Sequence, residues 1–163
     1  MAPEHIGYVV SDLQPSIAEF VDLHGAGPFF LIEHVPLAVA TYEGQPAHYD
    51  HSTAFGAWGS LTVELSVIHS ADPPELADRM RAGHVGRIVE DVEGESERLR
   101  AGGLPVFHTG ESGPVRAIWH DAGASLGHAI ELLAATPPLL AFHARVREAA
   151  IGWDGRDPVR PGP

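Results

Sequence analysis

HIGYVVSDL at 5–13 returns later in the chain as HVGRIVEDV at 84–92. His5, Gly7 and Asp12 recur as His84, Gly86 and Asp91, and Ile6, Val9, Val10 and Leu13 recur as Val85, Ile88, Val89 and Val92. A second echo follows each copy: LTVELSV at 61–67 resembles HAIELLA at 128–134, with Glu64 matched to Glu131. Two echoes that recur in the same order mark a duplicated structural unit. The chain therefore reads as two like modules, each offering one histidine near its start and one glutamate near its end. Two histidines and two glutamates on four strands can make a metal site.

Working outward from the repeat, the first module reads roughly as β-α-β-β-β. Residues 5–10 form a strand, Asp12 is an N-cap, Pro15 suits an early helical turn, and Ile17, Phe20 and Val21 give helical spacing that Gly25 and Gly27 end. Stretches 29–35, 37–44, 49–57 and 61–69 read as strands or hairpin arms. The second module repeats the plan, with Asp91 as cap, a helix through Glu95, Leu99 and Arg100, a stop at Gly102 and Gly103, and strands near 104–108, 114–120 and 127–134. The expected division is 1–70 for the first module, 71–83 for a linker holding a short helical turn, 84–136 for the second module and 137–163 for a C-terminal helix and tail. That last segment has no counterpart after module one. It reads as a helix packed across the sheet or on a dimer face with Trp153 as an anchor, or else as a lid. The fold class expected is α+β, with tandem β-α-β-β-β modules forming a cupped mixed β-sheet.

Composition narrows the function classes. Of 163 residues, 22 are acidic and 10 basic, a net charge of −12 with no strong cluster of basic residues, which argues against a nucleic-acid partner. With no cysteine there is no thiol nucleophile, disulfide framework or cysteine-based zinc site. No apolar run approaches the roughly 20 residues that span a bilayer, and no basic, apolar leader follows Met1. The sequence is read as that of a soluble cytoplasmic protein without a membrane partner.

Side chains alternate along a strand, so His5 and Gly7 share one face of their strand, and His84 and Gly86 share the corresponding face of theirs. The two glycines are expected to remove bulk where a ligand must approach. Glu64, flanked by Thr62 and Ser66, looks like part of a solvated strand face. Glu131 lies between Ala129 and Leu133, and a carboxylate on an apolar face needs a partner such as a divalent cation. His24, His34, His69, His108, His128 and His143 read as structural or surface residues. His51 is a candidate substrate contact.

The tandem plan, the two HxG first strands and the E-L motif on each closing strand resemble the vicinal oxygen chelate superfamily over about residues 4–135. That superfamily includes glyoxalase I, methylmalonyl-CoA epimerase, extradiol dioxygenases and bleomycin-resistance proteins. The resemblance implies a cupped site whose metal ligands are His5, Glu64, His84 and Glu131. The His/Glu/His/Glu set is closest to the glyoxalase and epimerase branch. The implied activity is that of a divalent-metal-dependent lyase, isomerase or epimerase moving a proton next to a metal-bound carbonyl or enediolate of a small substrate. Glu64 or Glu131 would be the catalytic base. An N/O ligand set without thiolate suits zinc, nickel, cobalt, manganese or iron.

Two alternatives stand beside it. An extradiol-type dioxygenase is disfavoured because it uses two histidines and one carboxylate. An antibiotic-sequestering protein would trap an aromatic compound with Trp58, Trp119 or Phe55. Arg116, with Arg87 and Arg145, is a candidate for anionic parts of a substrate. A homodimer is expected, since related folds close the site within one chain or between two.

Overall fold

Each copy of the repeat opens a strand and then caps a helix, as the two aspartates dictate. In the computed structural model, which describes residues 3–163, β1 (His5–Val9) leads to Asp12, whose carboxylate accepts from the Gln14 N–H at 3.1 Å and starts α1 (Leu13–His24). The second copy forms β7 (His84–Val89), and Asp91 accepts from the Gly94 N–H at 2.9 Å to start α3 (Val92–Ala101). Both carboxylates satisfy a helix N–H that has no partner within the helix. Gly25, at φ 61°, adopts the left-handed conformation that ends α1.

Between these landmarks lie β2 (Phe29–Ile32), β3 (Val39–Tyr42), β4 (Gln45–Pro46), β5 (His48–Trp58), β6 (Leu61–Asp72) and α2 (Pro74–Met80). After α3 come β8 (Val106–Ser112), β9 (Val115–His120), α4 (Gly123–Leu126), β10 (Ala129–Ala134), α5 (Pro137–Ala149) and β11 (Val159–Pro161). Among the described residues the strands join one mixed sheet in the order β11-β2-β5-β6-β1-β7-β10-β9-β8-β3-β4, so the molecule is α+β. The order mirrors about its middle: β1 runs parallel to β6, β7 parallel to β10, and β1 antiparallel to β7.

Strand alternation divides the sheet into an outer face covered by helices and an inner face that holds the polar residues. On β6, Val63 and Leu65 are fully buried beneath Leu13 and Ile17 of α1, while Thr62, Glu64 and Ser66 point the other way. On the second half, Ile118, Ile130 and Leu132 pack under Val92 and Leu99 of α3. Each such aliphatic side chain contributes about 1.5–3 kcal/mol by leaving water.

Three features depart from the simple repeat. The stretch read as the second hairpin arm of module one forms the β3–β4 hairpin, and β3 pairs with β8 of the other half, bridging the two through backbone hydrogen bonds. The segment expected as a linker contains α2, whose Leu76 and Met80 are buried in a cluster with Tyr49, Phe107 and Trp119. The chain end adds β11 alongside β2. No helix among the described residues is long and apolar enough to cross a membrane.

Candidate metal centre

The four residues singled out by the repeat sit on four neighbouring strands, β6-β1-β7-β10, at the middle of the sheet. Their register forms two rows. In one, Glu64 is opposite Gly7 and Gly7 is opposite His84; in the other, His5 is opposite Gly86 and Gly86 is opposite Glu131. Strands stand about 4.8 Å apart, so each histidine and glutamate are two strands, roughly 10 Å, from one another at the backbone and must lean together over the glycine between them. A Cβ on Gly7 would fall inside the His84 imidazole, and one on Gly86 inside the His5 imidazole. The glycines therefore admit the opposing module's histidine, a different role from the ligand clearance expected from sequence.

The side-chain tips converge. His5 Nε2 and His84 Nε2 are 3.1 Å apart; Glu131 Oε2 is 2.8 Å from the first and 3.3 Å from the second; Glu64 Oε2 is 3.4 and 3.1 Å from them. An ion bonded at about 2.0–2.1 Å to such donors would hold them about 3.0–3.4 Å apart, so the set fits a divalent cation. Glu131 Oε2, though buried and this close, has no aligned hydrogen-bond partner among the described residues. All four residues are at most 7% exposed.

The two carboxylates differ in how they are held. Thr53 Oγ1 donates to Glu64 Oε1 at 2.7 Å and Ser66 Oγ donates to the same oxygen at 3.1 Å, which pins Glu64 from behind. Thr62, Glu64 and Ser66 are all buried, so the pattern that resembles a solvated strand face in the sequence belongs to the inner wall. Sequence reading missed Thr53 altogether. Its only trace was a position facing Ser66 across the β5–β6 pair.

Without metal the cluster balances its own charge. Burial alone would lower the His84 pKa, but the Glu131 and Glu64 carboxylates outweigh it and raise it to about 10. Burial would raise Glu64, yet its hydrogen bond to His84 and the charges of His84 and His5 hold it near 2. Burial likewise opposes ionisation of Glu131, and His84 and His5 hold it well below the usual carboxylate range.

The pH consequence follows by linkage. The raised His84 stabilises the metal-free fold fully below about 6.5, and that contribution is lost as pH climbs through about 10. The lowered Glu64 contributes above 4.5 and loses it as pH falls toward 2. Burial lowers His108 and His143 to about 4, which costs stability as pH falls below 6.5. Thermal melts of chelator-treated protein should therefore peak near pH 6–7. The decline between about pH 7 and 10 should be absent in His84→Ala; if it persists there, this charge assignment is wrong.

The other residues read from sequence are divided by the sheet. Trp119 packs in the inner-face cluster with its ring 6.4 Å from that of His84, and His51 lies on the same side, stacked on Tyr49 at 4.6 Å. Phe55 meets the His5 ring edge-on at 6.1 Å. Trp58 and Arg116 are not brought to the centre. Trp58, one residue out of phase with the inner positions of β5, packs beneath α1 against Phe20 and His24. Arg116 is committed to Glu93 at 2.6 Å and Glu111 at 2.7 Å. Arg87 lies 3.8 Å from Glu95, and Arg145 covers the Phe30 ring.

The C-terminal helix also contributes. α5 turns Phe142, His143 and Val146 toward β5 and β6, and the buried His143 ring lies nearly parallel to that of His5 at 6.0 Å. Glu4, just before β1, contacts both His143 and Arg147 of α5. The helix thus packs across the sheet and beside the four-residue centre at once. On the other side, the His108 Nδ1–H donates to the Thr41 carbonyl at 2.8 Å, leaving Nε2 as an unpaired buried acceptor beside Trp119. Neither histidine carries a sequence pattern that marks it.

The profile of the glyoxalase/bleomycin resistance protein/dioxygenase superfamily matches residues 4–120. Among solved structures, methylmalonyl-CoA epimerase from Mycobacterium tuberculosis is similar with 19% identity, covering 85% of this chain and 91% of that one at a TM-score of 0.55. A hypothetical protein from Bacillus halodurans is similar with 14% identity, 83% and 94% coverage and a TM-score of 0.54. At these identities the likeness is one of fold. Among curated proteins no sequence match is found.

Proposed function

The chain belongs to the glyoxalase/bleomycin resistance protein/dioxygenase superfamily, and we propose that it is a divalent-metal-dependent lyase, isomerase or epimerase moving a proton next to a carbonyl of a small substrate. The observation that carries this reading is the convergence of His5, Glu64, His84 and Glu131 on one buried point. A pure sequestering protein has no use for four such donors at the floor of its cup. A divalent ion held there supplies Lewis-acid stabilisation of negative charge developing on a substrate oxygen. Zinc, nickel, cobalt, manganese and iron all suit the donor set.

The chain's own groups divide the remaining work. Glu64, held by Thr53 and Ser66, is fixed in place and has part of its basicity taken up by two hydroxyl donors. Glu131 has no hydroxyl donor on it among the described residues, so less of its basicity is taken up and it is the better acceptor of a proton from carbon. We assign it the role of base. Phe55, Trp119 and α5 exclude water around the reacting carbon, which strengthens every charge interaction there.

The test is proton exchange in deuterated water with hemithioacetals of 2-oxoaldehydes and with 2-methyl-branched acyl thioesters. Deuterium should enter at the carbon beside the carbonyl, disappear with chelator, return with added metal, and fall at least ~100-fold in Glu131→Gln. Oxygen uptake with a catechol and iron would instead favour the dioxygenase. Chelator-insensitive binding of aromatic compounds without exchange would favour the sequestering protein.

A further inference from the structure

A second group of metal-ligating side chains stands away from the buried centre, on the opposite side of β5. Tyr49, His51 and Thr53 face the cup, and Asp50 and Ser52 face away from it. Beside Asp50 lie His34, in the turn after β2, and His69 on β6. One ring nitrogen from each histidine and one Asp50 oxygen lie within 4.8 Å of one another.

Three structural devices bring them there. The β5–β6 register slips at this point: Asp50 is opposite Ser70 and His51 opposite Ile68, so His69 is the extra residue of a bulge, and bulges re-aim side chains. His34 takes a left-handed backbone conformation, φ 47°, unusual for a residue with a side chain. That turn is tied down by the His34 N–H donating to Ser52 Oγ at 2.9 Å and the Val35 N–H donating to the His51 carbonyl at 2.8 Å. Ser52 Oγ also bonds His69 Nε2 at 2.8 Å, orienting the second imidazole from behind. His34 Nδ1 is 2.8 Å from Asp50 Oδ1, and the two imidazoles face each other at 4.4 Å.

We propose that His34, Asp50 and His69 form a second, solvent-facing divalent-cation site. Two imidazoles with one carboxylate select a borderline ion such as zinc over magnesium or calcium, which prefer all-oxygen shells. His34 and His69 are exposed, so the remaining coordination positions open to water. The chain's net charge of −12 favours cation capture at its surface. The site is structurally independent of the buried centre, since none of its three side chains reaches the inner face.

The experiment is calorimetric titration of chelator-treated full-length protein with zinc alone at about pH 7.5, where ordinary imidazoles are neutral. Wild type should take up two zinc ions per chain. Half-buried Asp50 and exposed His69 lie outside the core, so Asp50→Asn and His69→Ala should each stay folded and lose one ion, with affinity at the outer site down at least tenfold. His84→Ala should lose the other ion and keep this one. A single zinc that His84→Ala removes and His69→Ala retains would overturn the proposal, as would a second zinc unaffected by both surface variants. A single zinc removed by His69→Ala but not by His84→Ala would uphold it and sink the buried centre instead.

Discussion

His84→Ala empties the buried centre and weakens the metal-free fold at the same time. In the metal-bound protein one of four donors is lost. Removing an outer partner of a ligand already costs 10–100-fold in affinity, so removing the ligand itself should cost about 100-fold or more. In a His69→Ala background, where the outer site is disabled, elemental analysis of untagged protein purified without chelator should fall from near one equivalent to below about a tenth when His84→Ala is added. In the metal-free protein the loss is electrostatic. His84 is the largest favourable charge acting on Glu131 and the hydrogen-bond partner of Glu64, and both carboxylates are buried. Without it only His5 is left to offset two buried carboxylates.

Breaking such a buried pair costs about 3–5 kcal/mol, which for a chain of this size lowers the melting temperature by about 10 °C. Acidification should recover part of that loss, because protonating one carboxylate removes the repulsion. Near-stoichiometric buried metal in His84→Ala, or an unchanged metal-free melting temperature, would refute the convergence of these four side chains as a working site.

How much of this was legible in the sequence depends on whether a feature repeats. The two HxG strands, their aspartate caps and the two E-L strands occur twice, so one copy validated the other, and strand alternation placed their side chains on one face. Features without a second copy left no such trace. The β3–β4 hairpin pairs with the other half because β8 offers an open edge, and nothing in LAVATYEG at 37–44 distinguishes a near partner from a distant one. Trp58 follows the inner positions of β5 by one residue, and a shift of one residue sends a side chain to the opposite face. Arg116 faces acidic side chains on β8 and α3, a match made by tertiary packing and not by spacing. His34, Asp50 and His69 are scattered through the first half and meet only because one strand bulges and one turn goes left-handed.

The glycines of the repeat give the sharpest test of its logic. Neither Gly7 nor Gly86 is among the positive-φ glycines, so alanine is conformationally acceptable at both, and at such positions it ordinarily stabilises by about 0.4–1 kcal/mol. The obstacle is the imidazole of the opposing module, which occupies the space a Cβ would need. Gly86→Ala should therefore push the His5 ring from the centre, cost roughly 2–3 kcal/mol, and lose the buried metal. In a His5→Ala background the ring that blocks the Cβ is gone, and the same substitution should become neutral or stabilising. The resulting coupling of about 2–3 kcal/mol, measured by a double-mutant cycle on metal-free protein, isolates the steric exchange from any intrinsic need for glycine. Gly7→Ala should behave in the same way toward His84→Ala, whose ring occupies the space its Cβ would need. Equal costs of Gly86→Ala in both backgrounds would mean that glycine serves the strand backbone, and that the paired HxG motifs have a cause other than the mutual insertion of two histidines.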